Sequence, residues 1–259
     1  MDNFIKNFWE NQAKEFKGHH KASWGDNYAL ELEFELISGY IKDGFQVLDV
    51  GCANGFAAIA HAKKNKINLT GIDFAAEMIK YALENKKSQN IDNVSFIEGD
   101  ITKIEFENNS FDIVYTTRVL INLPNWELQK KGILECIRVT KPGGLVIFLE
   151  AFYEPLVKLN ALRLIAGLDP LEEHDFNRYI KKYKLEDFAK SLNLSFHNID
   201  FSSVYYLGTR FIRELATDYK SYEGFSNPIN FDFFKLERKY SGGGFGIQQA
   251  YIIKKDPFQ

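Results

Sequence analysis

The chain has 259 residues and a formal net charge of −3. That length accommodates one large α/β core, and the acidic balance excludes the basic footprint of a nucleic-acid binder. The longest apolar run, 146–152, is interrupted by Glu150 and is too short to span a bilayer. The two cysteines, Cys52 and Cys136, cannot form a disulfide framework and read as reduced thiols, so a cytoplasmic location is expected. Asp2, Lys6 and Glu10 within the first turns exclude a secretory signal there.

An N-terminal arm comes first, with helices expected over 4–16 and 27–40 joined by the polar segment 17–26. Residues 46–50 read as a buried strand, followed by a glycine-bearing turn and a helix over 56–64. A second strand spans 68–73, and a helix over 75–87 carries Met78, Ile79 and Ala82 on one face. Strands at 94–98 and 111–116 and a helix at 126–139 follow. Lys141-Pro142-Gly143-Gly144 then turns the chain into a fully buried strand, 145–149. Strand alternating with helix predicts a doubly wound, mostly parallel sheet covered on both faces. After Glu150 the alternation becomes irregular. Pro155 suits a first helical position and Gly167 a helix stop, with further helices expected near 185–192, 209–219 and 231–239. Strands are expected at 194–201 and 245–253. The expected organisation is a single structural domain, with an arm over 1–40, a binding core over 41–150, and a cap insertion plus sheet completion over 151–259.

Val47-Leu48-Asp49-Val50-Gly51-Cys52-Ala53-Asn54-Gly55 is the most informative stretch. A buried strand feeds a turn in which Gly51 and Gly55 permit close approach of a ligand, and the next helix begins with free N–H groups. Glycine used for turn geometry alone is the competing reading. The Gly51-x-x-x-Gly55 spacing is not the G-x-G-x-x-G of dinucleotide sites. It resembles the first motif of class I S-adenosylmethionine-dependent methyltransferases. Gly71-Ile72-Asp73-Phe74, Glu98-Gly99-Asp100-Ile101, Phe111-Asp112-Ile113-Val114 and Lys141-Pro142-Gly143-Gly144 continue that resemblance in order. It implies a Rossmann-like sheet whose last strand is antiparallel, with S-adenosyl-L-methionine as cofactor and S-adenosyl-L-homocysteine as product. The implied cofactor set is Asp49, Gly51, Ala53, Gly55, Asp73, Phe74, Met78, Asp100, Ile101 and Thr117. Asp73 would hold the ribose hydroxyls, Asp100 would accept from the adenine amine, and Phe74 and Ile101 would flank the ring. An N-cap role for Asp73 and a turn role for Asp100 are the alternatives.

A narrower resemblance begins at Tyr115-Thr116-Thr117-Arg118-Val119-Leu120-Ile121-Asn122-Leu123-Pro124. It is similar to bacterial methyltransferases encoded with surface-polysaccharide genes, and continues at Glu150, at Leu159–Arg163, at Gly167-Leu168-Asp169-Pro170, and at His174 with Asn177. It ends with Tyr205–Arg210 and Gly244-Phe245-Gly246. From it come the expected acceptor-binding residues Arg118, Asn122, Asn160, Arg163, Asn177, Tyr206 and Arg210. Asn160 and Arg163, at i and i+3, share one helix face and suit a clamp for an anion or sugar, with a surface salt bridge as the alternative for Arg163. For Arg210 and Arg213 the alternative is a solvated helix face. His20, His174 and Glu150 are the candidate bases, while His61 and His197 read as structural. His19, His20, Asp26 and His174 show no recognised metal spacing, so no metal is expected. Trp9, Trp24 and Tyr28 place aromatic rings in the arm, where core packing is the first reading for each and closure over the cofactor the alternative.

The expected activity is therefore methyl transfer to an oxygen of a small polar or anionic acceptor, such as a glycan precursor, in surface-polysaccharide synthesis. The alternatives are nitrogen or carbon methylation in small-molecule metabolism, and a non-catalytic cofactor-binding partner subunit. No nucleic-acid partner and no membrane span are expected.

Overall fold

A parallel strand is covered on both faces and so must be apolar almost throughout. β1 (Gln46–Val50) and β4 (Phe111–Thr117) meet that demand, with Val47, Leu48, Ile113, Val114 and Tyr115 all but inaccessible. The computed structural model describes residues 3–222 and 224–256. Around these strands it builds one seven-stranded sheet in the order β3-β2-β1-β4-β5-β7-β6, with β2 at Asn68–Asp73, β3 at Val94–Glu98 and β5 at Thr140–Ala151. β7 (Gln248–Lys254) runs antiparallel between β5 and β6 (Ser195–Ile199). The strand order reverses between β1 and β4, and the crevice beyond their carboxyl ends is where open α/β sheets bind ligands.

Helices α3 (Phe56–Lys64), α4 (Ala76–Ser88) and α5 (Trp126–Val139) make the crossovers. α1 (Asn3–Phe16) lies on α4, where Ala13, Ala22, Ala75 and Met78 form a small apolar cluster, and the Glu10 carboxylate accepts hydrogen bonds from the Ala76 and Glu77 N–H groups at 2.9 and 3.1 Å. The N-cap of α4 is Ala75, which has no capping side chain, so Glu10 supplies the cap and the favourable negative charge. Asn54 donates to the carbonyls of Lys17 and His19 at 2.9 and 2.8 Å, pinning the connection between α1 and α2 (Asn27–Ser38) over the glycine loop.

Several elements differ from the sequence expectation, among them the helix expected near 185–192, which starts at Lys182, and β6, which is confined to Ser195–Ile199. β5 starts at Thr140, and the Lys141–Gly144 turn bulges out of its pairing with β4 between Thr140 and Leu145. β7 starts at Gln248, three residues later than expected. The helix expected over 209–219 is instead a continuous helical run comprising α8 (Ser203–Leu207), a π turn (Gly208–Ile212) and α9 (Arg213–Ala216). A Cβ at Gly208 would fall 2.2 Å from the Phe233 ring of α10 (Ile229–Lys239), so only glycine lets these two helices meet. α6 (Tyr153–Ile165) and α7 (Lys182–Ser191) form the insertion between β5 and β6.

Candidate functional site

The loop after β1 folds back onto β2: the N–H groups of Gly51 and Cys52 both donate to the Ile72 carbonyl, at 2.7 and 3.0 Å. Gly51 has φ +80°, and a Cβ there would come within 2.2 Å of the Val119 side chain. Close approach, as well as the turn, therefore requires glycine. Gly55, at φ +75°, is the N-cap of α3 and turns the chain behind the loop instead of facing the crevice.

Three cavities meet at Ser23 and Arg118, two of them bordered by this loop. The first is a slot lined by Gly51, Ala53, Asp73, Phe74, Met78, Ile101 and Thr117, all expected cofactor residues, together with Trp9 and Gly99. The Asp73 carboxylate accepts from the N–H groups of Ala53 and Ala75, both at 2.9 Å, and burial pushes its carboxyl up to about 6. Those two bonds use one lone pair on each oxygen and leave one on each for a vicinal diol. Phe74, Met78 and Ile101 give the slot the apolar faces that a purine needs. Asp100 lies outside the lining between Gly99 and Ile101, and its Oδ1 accepts from the Thr102 N–H at 2.7 Å, which is the turn role.

The second cavity, about 350 Å³, lies between α2 and α3 and includes Asp49, His20, Glu33 and His61. Burial pushes the Asp49 carboxyl up to about 7 and holds the His61 imidazole down to about 3, so His61 is neutral there. His61 Nδ1 lies 3.3 Å from the Ser38 hydroxyl, and its ring stacks on Phe34. His20 faces this cavity and not the third one, and burial lowers its imidazole, so it is poorly placed as a base for an acceptor.

The third cavity, about 500 Å³, opens between the arm, the β4 and β5 ends and the insertion. Phe8, Trp9, Trp24, Phe176, Tyr206 and Phe225 form much of its wall. His174, Asn177 and Arg210 also line it, as do Arg118 and Asn122. The π turn aims Arg210 inward, where its guanidinium bonds Asp26 at 2.7 Å and lies over the Tyr206 and Phe225 rings. Solvation of Arg210 and Arg213 is thus overturned: both are largely buried.

Arg118 and Ser23 line all three cavities, and Trp9 and Asn122 line the slot and the third. Arg118 sits at φ +58°, pairs with the buried Glu33 carboxylate and stacks on Trp24 with 4.6 Å between guanidinium and ring. Left-handed backbone at an arginine is a local cost of the kind that functional sites retain.

Besides Asp100 and His20, three expected site residues are corrected. Glu150 is fully buried, and its oxygens accept from the Thr116 hydroxyl at 2.6 Å and from the N–H groups of Val119, Leu120 and Ile121 at 3.1, 3.1 and 3.3 Å. It holds the turn that carries Arg118 and Asn122 and lines none of these three cavities. Asn160 spends its amide on the Leu171 backbone, donating at 2.9 Å and accepting at 2.8 Å. Arg163, 4% exposed, bonds Glu214 at 3.0 Å and the Asp169 and Arg210 carbonyls, tying α6 to α9. The proposed Asn160–Arg163 clamp is an internal brace. Ser23, Phe176 and Phe225 had no sequence signal, because isolated residues in irregular segments carry no periodicity; Gln248 lay in an expected strand but nothing in its residue type marked it. Among the described residues no group of three or more metal-ligating side chains is brought together.

Residues 41–165 match a family model described as a methyltransferase domain. Over 112 residues the chain is 38% identical to the demethylmenaquinone methyltransferase of Staphylococcus aureus (strain MRSA252), covering 42% of this chain and 44% of that protein. Over 150 residues it is 33% identical to the ubiquinone/menaquinone biosynthesis C-methyltransferase UbiE of Bdellovibrio bacteriovorus, covering 56% and 61%. The chain thus spans about half the length of the curated relatives it matches. A solved structure of geranyl diphosphate C-methyltransferase from Streptomyces coelicolor A3(2), in complex with Mg2+, geranyl diphosphate and S-adenosyl-L-homocysteine, has a TM-score of 0.63 at 13% identity, covering 97% of this chain and 96% of that one. The fold is that of class I methyltransferases. The expected cofactor is represented in that neighbour by its demethylated product. The expected surface-polysaccharide acceptor has no counterpart among these proteins, two of which are named for carbon methylation.

Proposed function

We propose that this chain is an S-adenosylmethionine-dependent methyltransferase that methylates a carbon atom of a small, ring-bearing acceptor. The observation that carries this reading is the aromatic third cavity, which joins the cofactor slot through Trp9, Asn122, Ser23 and Arg118. When bound, S-adenosylmethionine supplies the methyl group. Asp73 holds the ribose, Phe74, Met78 and Ile101 sandwich the adenine, and the glycine loop leaves room for the amino-acid arm. Trp9 covers the junction and excludes water, so that the chain's contribution is largely orientation of the two reactants.

Aromatic walls favour a planar, weakly hydrated acceptor, which stacks with little desolvation cost. A sugar phosphate fits this lining poorly, and Arg118 and Arg210 disfavour a cationic amine. An electron-rich ring carbon forms its bond to the methyl group as the sulfur–methyl bond breaks, and the ring then loses a proton. His174 is the imidazole on this wall and accepts that proton. The carbon methylation for which the Bdellovibrio bacteriovorus relative is named supports this over oxygen transfer to a glycan.

The test offers methyl-labelled S-adenosylmethionine to the full chain with two acceptor panels, hydroxylated naphthalenes and nucleotide sugars. Label in the naphthalene products, on carbon by NMR, is expected. Label only in the sugars would overturn the reading.

A further inference from the structure

α6 is built inside out. Its polar residues Asn160 and Arg163 turn inward, to the Leu171 backbone and to Glu214. Tyr153, Val157, Ala161, Leu164 and Ile165, at i, i+4, i+8, i+11 and i+12, form an apolar stripe on the solvent side. Leu164 and Ile165 are 60% and 86% exposed, and Ile165 is the most exposed large apolar side chain among the described residues. The opposite face buries Leu156 and Leu159. A surface helix keeps polar residues on its outer face, and a helix apolar on both faces belongs in an interior. Tyr183 is exposed too, on the segment whose Ile180 carbonyl accepts from the Tyr153 N–H at 3.0 Å. Single exposed apolar residues are ordinary, but a contiguous stripe marks an interaction surface.

The charges at its two ends indicate the partner. At the N-terminal end the Lys181 ammonium lies over the Tyr153 ring, 5.3 Å from its centroid. Just past the C-terminal end Asp169 and Glu172 are exposed. Within one chain the helix holds these ends about 18 Å apart, so they do not pair with each other. A second copy laid antiparallel, crossing at the small Ala161, sets Val157 against Ile165 of that copy and Tyr153 against its Asp169. Lys181 of each chain then meets Asp169 of the other, the self-complementarity that a two-fold interface requires. An anionic lipid surface would instead meet Asp169 and Glu172 as like charges. We propose that the outer face of α6 is the contact through which two copies of this chain form a two-fold dimer. Leu156, on the inner face, lines the third cavity, and Arg163 ties the same helix to the π turn that carries Arg210. The dimer therefore braces the wall of that cavity from outside, whatever molecule the cavity takes.

Sedimentation velocity of the full chain at low ionic strength, over about 1–200 μM, is expected to show monomer passing reversibly to twice its mass, as suits an interface of modest area. Ile165→Glu alters a solvent-facing position and should raise the dissociation constant at least tenfold. Lys181→Glu and Asp169→Lys should each weaken the dimer about threefold to tenfold, since symmetry places two like-charged contacts in it, and the double reversal should restore it. That rescue excludes a mere loss of fold in the single variants. A chain that stays monomeric throughout, or a dimer indifferent to Ile165→Glu, overturns the proposal. A double reversal as weak as the single variants overturns the antiparallel pairing. Flotation with vesicles of equimolar phosphatidylcholine and phosphatidylglycerol completes the test: binding of a monomeric wild-type chain that Ile165→Glu abolishes gives the face to a membrane and overturns the dimer.

Discussion

Replacing Glu150 separates a structural carboxylate from a catalytic one. Glu150→Ala removes the acceptor for four donors, of which Thr116 and Leu120 are fully buried and Ile121 is 4% exposed. Each buried donor left unsatisfied costs about 1–3 kcal/mol, and a water entering the vacated space recovers part of that. A net loss of about 3–5 kcal/mol is expected, a large fraction of the stability of an ordinary domain. Glu150→Gln fills the same volume and keeps one oxygen, at a cost of about 1–2 kcal/mol. Burial pushes the Glu150 carboxyl up to about 7, so ionisation in the folded state is resisted as pH rises from the unfolded value through 7. The stability contributed by this group is full at low pH and is lost over that interval, so the Gln variant compares best with wild type at pH 8 and worst at pH 5. Urea unfolding at the two pH values measures all of this. An unchanged urea midpoint in Glu150→Ala would refute the structural role. Native stability in Glu150→Gln combined with a kcat lower by about 10²–10⁴ would restore Glu150 as a general base.

Asp73→Asn should weaken S-adenosylhomocysteine binding at least tenfold by calorimetry, since a charged acceptor for a diol becomes a neutral one; undiminished affinity in a folded variant removes Asp73 from the site. Arg163→Ala should destabilise the chain by about 2–4 kcal/mol, because the buried Glu214 keeps only Arg213, at 3.9 Å, and the Asp169 and Arg210 carbonyls lose their donor. Its folded fraction should bind cofactor and acceptor normally, and a selective loss of acceptor affinity would revive the clamp. His61, held neutral with its imidazole near 3, makes the unfolded chain bind the extra proton below about 6.5. Stability should therefore fall as pH drops from 6.5 towards 3, by up to about 1.4 kcal/mol per pH unit from this group, and His61→Phe should flatten the slope seen in denaturant titrations at successive pH values.

The sheet was legible because its central strands are short, largely apolar and punctuated by Gly51, Gly99 and the Lys141–Gly144 turn, all local signals. The first slot gathers Asp73, Phe74 and Ile101 because they stand at strand ends whose register the motifs fix. The acceptor side was not legible in the same way. Its wall draws Phe8 from α1, Phe176 from an irregular segment and Phe225 from another, and only the packing of three distant stretches brings them together. Asn160 and Arg163 illustrate the opposite error: i, i+3 spacing correctly put them on one helix face, but which neighbour that face meets is a tertiary fact. Glu150 misled for a related reason, because a carboxylate at a strand end looks the same in sequence whether it faces a ligand or caps the following turn.

The π turn at Gly208–Ile212 holds one residue more than an α-helical path between the same anchors. Deleting a single codon there would let α8 run directly into α9, and each later side chain of the segment would rotate by about 100° about the helix axis. Arg210 would swing away from Asp26, and a different residue would face the third cavity, while Gly208 and Arg213 could keep their attachments to Phe233 and Glu214. The lining of that cavity can thus be rewritten by a one-residue length change that leaves the sheet untouched, a larger step in shape than most point substitutions allow and one that insertions and deletions can reverse.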